Sequence, residues 1–290
     1  MRAYGLLLAV LSAVAFGLYM VPRRFSAAGQ RDFSAALGLG ALVALGLPLP
    51  FTAGPFSWQG LGIAFLGGLS FAAGSQLFVM SVDALGITRA TPVKNLTGVF
   101  GTLFGIAILG EYRHSGAGVL LELVAGSILT AFGAYLIGGI GQKTAAGTAP
   151  IARRKGFLLA LGAAVGFGFY LVPLRLAAPL GTGYGYLGLG LGALVGLTLP
   201  RAAALLRMPV REIGLGALSG ALLALGVQLA APAANIVGLS VAWPITQLNT
   251  FVALGAGILW LHEHDLRSVR GRLAAASLAT ALGIVLLALL

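Results

Sequence analysis

The sequence predicts an all-α polytopic membrane protein with ten transmembrane helices arranged as two inverted five-helix repeats. Three observations lead there: an apolar, charge-poor composition, ten apolar runs of spanning length, and an internal repeat that keeps its register over most of the chain. Of 290 residues, 59% are hydrophobic, 9% are charged and 45 are glycine, and the mean hydropathy is +1.00. A soluble domain carries about 25% charged residues, so this chain lacks the charge to coat a water-facing surface. That excludes an ordinary soluble enzyme and a disordered tail. The net charge of +11 does not signal nucleic acid, because the basic residues sit in short clusters between apolar runs. With no cysteine, the chain has no disulfide, thiolate chemistry or cysteine-bound metal, and no cofactor is expected.

A helix needs about 20 mostly apolar residues to cross the hydrocarbon. Runs of that kind lie at about 4–21, 34–53, 59–81, 87–109 and 117–139, and again at about 156–173, 183–200, 212–232, 238–261 and 270–290. Between the two sets, GQKTAAGTAPIARRK (Gly141–Lys155) reads as a polar linker, so the chain divides into 1–140, 141–155 and 156–290. The runs are continuously apolar rather than alternating at period two, which argues against a β-barrel. The first run reads as a retained helix. Met20-Val21-Pro22-Arg23-Arg24 offers no small-residue cleavage site, and the run has a partner later in the chain.

That partner belongs to the repeat. AFGLYMVPRR (Ala15–Arg24) recurs as GFGFYLVPLR (Gly166–Arg175), 151 residues on. GALV at 40–43 recurs at 192–195, and Pro48 matches Pro200, both 152 residues on. Gly74, Gln76, Gly86, Pro92 and Leu96 match Gly226, Gln228, Gly238, Pro244 and Leu248, and Glu111 matches Glu263. Five spans per copy is an odd number, so the second copy enters the membrane from the opposite side. Inverted repeats of this kind are a usual construction of secondary transporters, with the substrate at the repeat interface.

Orientation follows from the Lys and Arg residues on each side. Fourteen lie in the loops after odd-numbered spans, from Arg23 to Arg272, against Arg2, Arg113 and Arg175 on the other side. The first group is assigned to the cytoplasm of a cell-membrane protein, and both termini to the outside.

Polar side chains within spans are few, and such residues usually face a cavity. Thr91, Asn95, Gly98, Thr102 and Gly105 make one small polar face of the fourth span; Trp243, Gln247, Thr250, Leu254 and Gly257 are their mates. Asn249 matches Thr97, and Thr246 matches Lys94. Gln76 and Gln228 come from the third and eighth spans, Tyr19 and Tyr170 from the first and sixth. Amides offer donors and acceptors and aromatic faces stack on a neutral ring, so the set suits a polyhydroxylated substrate such as a sugar. The structural readings stand beside this one. Matched glutamines can tie the halves together, and the tyrosines can belong to an interfacial aromatic belt. Trp243 replaces a threonine in the other half, which favours substrate contact. Pro92 and Pro244 can uncoil their helices and free carbonyls beside Asn95 and Gln247, whereas Pro22 and Pro173 read as helix ends.

Lys94 stands apart. An ammonium inside a span costs about 2.5–3.5 kcal/mol on insertion scales. It either binds an anionic substrate, pairs with an acid such as Asp83, carries protons, or snorkels to the surface. His262-Glu263-His264-Asp265 reads as a solvated loop rather than a metal site, and no nucleophile–base pair lies in a span, so the protein is not expected to be an enzyme.

Two five-helix copies with a glutamate ending the fourth and ninth spans resemble the drug/metabolite transporter superfamily. YGLLLAVLSAVAFGLYMVPRR (Tyr4–Arg24) and GLSVAWPITQLNTFVALGAGILWLHE (Gly238–Glu263) resemble its glucose/ribose porter branch, which includes bacterial glucose uptake and L-rhamnose permeases. The resemblance implies a central cavity lined by spans 1, 3, 4, 6, 8 and 9. The expectation is therefore a carrier that takes up a sugar by alternating access, coupled to a proton or sodium gradient. Its site residues are Tyr19, Gln76, Lys94, Asn95, Tyr170, Gln228, Trp243, Gln247 and Asn249. An exporter or exchanger of amino acids or anionic metabolites is the second reading, kept open by Lys94.

Overall fold

The structure, a computed structural model, describes residues 1–49, 56–85, 90, 93–138, 150–259 and 266–289. They are helical almost throughout, with no strand among them. The principal helices of the first half are α1 (Arg2–Leu18), α2 (Gln30–Gly46), α3 (Trp58–Leu85), α4 (Thr97–Ala107) and α5 (Ala117–Gly138). Those of the second are α6 (Pro150–Phe169), α7 (Leu171–Ala177), α8 (Thr182–Ala193), α9 (Val210–Val237), α10 (Leu239–Thr246), α11 (Asn249–Leu259) and α12 (Leu266–Leu289).

Seven helical stretches among the described residues are long and apolar enough to cross a membrane. The other three expected runs are shorter or interrupted. α2 has 17 residues and closes at Gly46. The fourth run is helical at Val93–Lys94, turns, and resumes as the 11-residue α4. The ninth is split into α10 and α11. α6 starts inside the stretch read as linker, with Pro150 at its first position, where a missing N–H costs nothing. α1 and α6 stop before their prolines rather than at them. Tyr19 closes α1 and Tyr170 separates α6 from α7, both with φ −60° and ψ −25°. After α8 the chain widens into a π turn at Leu194–Thr198 and tightens at Leu199–Arg201, around Pro200.

The packing is reciprocal between the halves. α2 lies along α9 and α8 along α3; α1 lies along α9 and α6 along α3; α5 pairs with α12. The reciprocity extends to single bonds. Gln76 Nε2 donates to the Gly196 carbonyl at 2.6 Å, and its mate Gln228 donates to the Ala44 carbonyl at 3.0 Å. Ala44 and Gly196 are themselves repeat mates, 152 residues apart.

Lipid is as apolar as leucine, so helices associate through close packing and interhelical hydrogen bonds rather than through a hydrophobic drive. Gly40 rests on Ala217 and Gly220 on Leu37; their mates do the same, Gly192 against Phe65 and Gly68 against Leu189. A Cβ on Gly40 would stand 2.1 Å from the Ala217 carbonyl oxygen, and one on Gly192 would stand 2.2 Å from that of Phe65. Both atoms are backbone, so the helices themselves would have to part. Gly192→Ala is expected to destabilise the protein by about 1–3 kcal/mol, read as a lower unfolding midpoint in detergent. A midpoint equal to that of the parent chain would contradict the close approach. Large apolar side chains such as Leu66, Leu121 and Leu278 face outward, as a lipid-facing surface requires.

Candidate functional site

Two interrupted helices build the site. In the ninth run Pro244 lies within α10, and the helix closes at Gln247. The turn is tightened to three-residue bonds: Gln247 N–H donates to Pro244, Leu248 N–H to Ile245 and Thr250 N–H to Gln247. The fourth run repeats the pattern, with Leu96 N–H donating to Val93 and Gly98 N–H to Asn95. Side chains take up carbonyls that the break releases. Thr97 Oγ1 donates to the Lys94 carbonyl and Thr246 Oγ1 to that of Trp243, both at 2.6 Å. Irregular backbone at membrane depth is tolerated where it is buried in protein or lines a cavity.

A cavity of about 50 Å³ lies against these breaks. Its wall reproduces itself under the repeat. Phe16 faces Phe167 in that correspondence, Tyr19 faces Tyr170, Phe71 faces Leu223, Lys94 faces Thr246 and Thr97 faces Asn249; Trp243 and Gln247 complete the lining. Trp243 packs edge-on against Phe16 and Tyr170, with centroids 6.2 Å and 5.3 Å away, and Tyr170 packs edge-on against Phe71. Indole and helix meet closely because Gly101 has no side chain: a Cβ there would stand 1.8 Å from Trp243 Cδ1. Lys94 Nζ sits 5.7 Å from the Phe167 ring centre and 6.0 Å from that of Phe78, close enough for cation–π attraction.

Three buried polar atoms here lack a hydrogen-bond partner: Asn95 Nδ2, Trp243 Nε1 and Gln247 Oε1. Orphaned buried groups are costly; Trp243 and Gln247 line the cavity and Asn95 is buried beside it.

A family model described as a sugar transport protein matches residues 7–290. The chain belongs to this sugar transport family. Among solved structures, one titled only as a crystal structure of a protein superposes with a TM-score of 0.69 at 16% identity, covering 100% of this chain and 98% of that one. That likeness shows the fold. No curated protein matches the sequence. With its apolar spans, the sugar transport protein is an integral membrane protein.

Of the residues expected to contact sugar, the structure of this sugar transport protein brings Tyr19, Lys94, Tyr170, Trp243, Gln247 and Asn249 to the cavity. Asn95 is buried beside it, accepting from Lys94 Nζ at 3.4 Å. Gln76 and Gln228 lie elsewhere, bonded across the halves as described. Phe16, Phe71 and Phe167 were not anticipated. A signal existed for two of them: Phe-Gly-X-Tyr occurs at matched positions, Phe16–Tyr19 and Phe167–Tyr170. Rather than lying open to the cavity, Gly98, Thr102 and Gly105 pack on α10, where Thr102 Oγ1 donates to the Ser240 carbonyl at 3.0 Å. Lys94 faces rings and an amide oxygen rather than the membrane surface. Thr91, Pro92, Arg89 and His262–Asp265 lie outside the described residues, and so does the side chain of Asp83.

Glu111 links the halves at the start of α10. Its carboxylate accepts from the backbone N–H groups of Leu239 (2.7 Å) and Ser240 (2.8 Å) and from Ser240 Oγ (2.7 Å). A helix N-terminus presents unpaired N–H groups and partial positive charge, and here an acid from the other half satisfies them. Gly238, at φ +87°, lets the chain turn into α10 beside that carboxylate. Arg175 stands 3.6 Å from Glu111 Oε1 and also donates to the Ala234 carbonyl.

Proposed function

We propose that the chain carries a sugar across the cell membrane by alternating access, with the cavity at Trp243 as the binding site. In this reading ten spans form two inverted repeats, 1–140 and 156–290, joined by the linker 141–155, with both termini outside the cytoplasm. The observation that carries it is the wall itself: ten of its residues fall into five repeat-matched pairs. A site whose wall positions interchange when the halves exchange roles can open to either side, and Phe16/Phe167 and Tyr19/Tyr170 keep their residue type in doing so. The two broken helices support the reading, since transporter sites are typically built on discontinuous helices.

At about 50 Å³ the cavity holds a few waters at about 10–15 Å³ each, while small-molecule sites run to roughly 300–1,000 Å³. This conformation is therefore contracted around the site, and a sugar enters as the halves part. Trp243, Tyr170 and Tyr19 stack on the ring, Asn95, Gln247 and Asn249 bond its hydroxyls, and Lys94 donates to an oxygen. Uptake of labelled sugars into proteoliposomes, with and without proton or sodium gradients, tests the reading. Gradient-stimulated uptake of a neutral sugar is expected. Exchange of amino acids with no sugar movement would sink it. A reporter active only in the cytoplasm should be silent at Leu290.

Lys94→Met keeps the length of the side chain and removes the charged donor. Sugar affinity is expected to fall about tenfold, corresponding to about 1.4 kcal/mol. Equal affinity in the two proteins would take Lys94 out of the site.

A further inference from the structure

A second cavity is larger than the one at Trp243. It measures about 370 Å³, lies between α2, α3 and the π turn after α8, and shares no lining residue with the sugar site. Arg31 and Arg201 both line it, with the hydroxyls of Ser34 and Ser75 and the amide of Gln76. Neither arginine pairs with a carboxylate among the described residues, and Asp32, next to Arg31, is not part of the wall.

The repeat shows what the fold needs here and what it does not. At the mate positions 152 residues away, Arg31 becomes Gly183, Ser34 becomes Tyr186, Ser75 becomes Val227 and Arg201 becomes Leu49, while Gln76 remains Gln228. The glutamine bonds to the opposite helix in both halves, so that element is architectural. Neither the arginines nor the serines have a like residue at the mate position. Helix packing at the mate positions thus works without these charges and hydroxyls.

We infer that this cavity binds a phosphate ester bearing a free hydroxyl, either the headgroup of an anionic lipid or a soluble sugar phosphate. Both arginines are exposed at the cavity wall, and guanidinium forks pair bidentately with phosphate oxygens. The serine hydroxyls add donors. Gln76 gives one Nε2–H to Gly196, which leaves a second N–H as a donor and Oε1 as an acceptor suited to an ester's hydroxyl. Both arginines belong to the Lys/Arg-rich side of the sequence, and basic pockets between spans on such a face take anionic headgroups. The inference does not depend on the sugar reading, because it concerns a separate cavity and is tested by anion binding.

The test uses the full chain, delipidated in a neutral detergent. Glucose 6-phosphate is compared with glucose, and phosphatidylglycerol with phosphatidylcholine in mixed micelles, reading the unfolding midpoint and a binding isotherm. The increment over each counterpart, glucose lacking the phosphate and phosphatidylcholine lacking the net negative charge and the free hydroxyls, is expected to be positive for at least one pair. A response to glucose 6-phosphate assigns the soluble ester; a response to phosphatidylglycerol alone assigns the headgroup. In Arg31→Gln/Arg201→Gln the affinity should fall at least tenfold. Ser34→Tyr, which copies the residue the other half carries, should abolish the increment with both charges in place. No increment for either pair, or an increment that survives both variants, overturns the inference, whatever the sugar assays show.

Discussion

Trp243→Ala is expected to lower sugar affinity about a hundredfold or more. Trp243 is 3% exposed, lines the cavity and carries an unpartnered Nε1. A buried aromatic at the centre of a binding site commonly accounts for about 2–4 kcal/mol, and about 2.7 kcal/mol is a hundredfold. The indole also fills space against Gly101, so truncation costs stability as well. Trp243→Phe separates the two effects. It keeps the packing on Phe16 and Tyr170 and removes only the Nε1 donor, worth about 1 kcal/mol as a neutral hydrogen bond, so its affinity should fall only several-fold. Isotherms for the three proteins, with their unfolding midpoints, check the order. Unchanged affinity in a folded Trp243→Ala protein would remove the indole from the site.

Glu111→Ala should be the most destabilising single change. It strands two backbone donors, one hydroxyl and the Arg175 guanidinium, all arranged around a carboxylate whose side chain is 9% exposed. Removing one partner of a buried charged network costs about 3–5 kcal/mol. Arg175→Met should cost far less. Its side chain is 27% exposed, and Glu111 keeps its three other donors without it. Glu111→Gln should fall between them, because its amide retains one acceptor oxygen but turns a donor toward donors. Unfolding midpoints in the same detergent rank the three. A ranking with Arg175→Met lowest would show that the ion pair, rather than the capped helix, holds the halves together.

Much of this architecture was legible in the sequence because membrane crossing imposes length and apolarity directly, and because duplication prints the same residues twice. The prolines point to the broken helices, and the carbonyls expected to be freed beside Asn95 and Gln247 lie where the turns fall. In the ninth run the break falls at Gln247–Leu248, three residues beyond Pro244, where the Thr246 and Gln247 side chains both donate to the released Trp243 carbonyl. Gln76 and Gln228 show why polarity alone misleads. An amide within a span is satisfied equally by a sugar or by a carbonyl on a neighbouring helix, and only the opposing backbone decides. Phe16, Phe71 and Phe167 carried no polar mark among apolar runs. Glu111 read as the end of a span, since its partners at Leu239 and Ser240 lie more than a hundred residues away and meet it only after folding.

The chain has no native cysteine, so single cysteines report cleanly on access to the cavity. Thr97→Cys and Asn249→Cys place thiols at two repeat-matched positions of the wall. In oriented proteoliposomes, an impermeant thiol reagent applied from each side in turn should label both positions from both sides. The transported sugar should protect them. Labelling confined to one side, or rates indifferent to sugar, would contradict a central site shared between two exchanging halves.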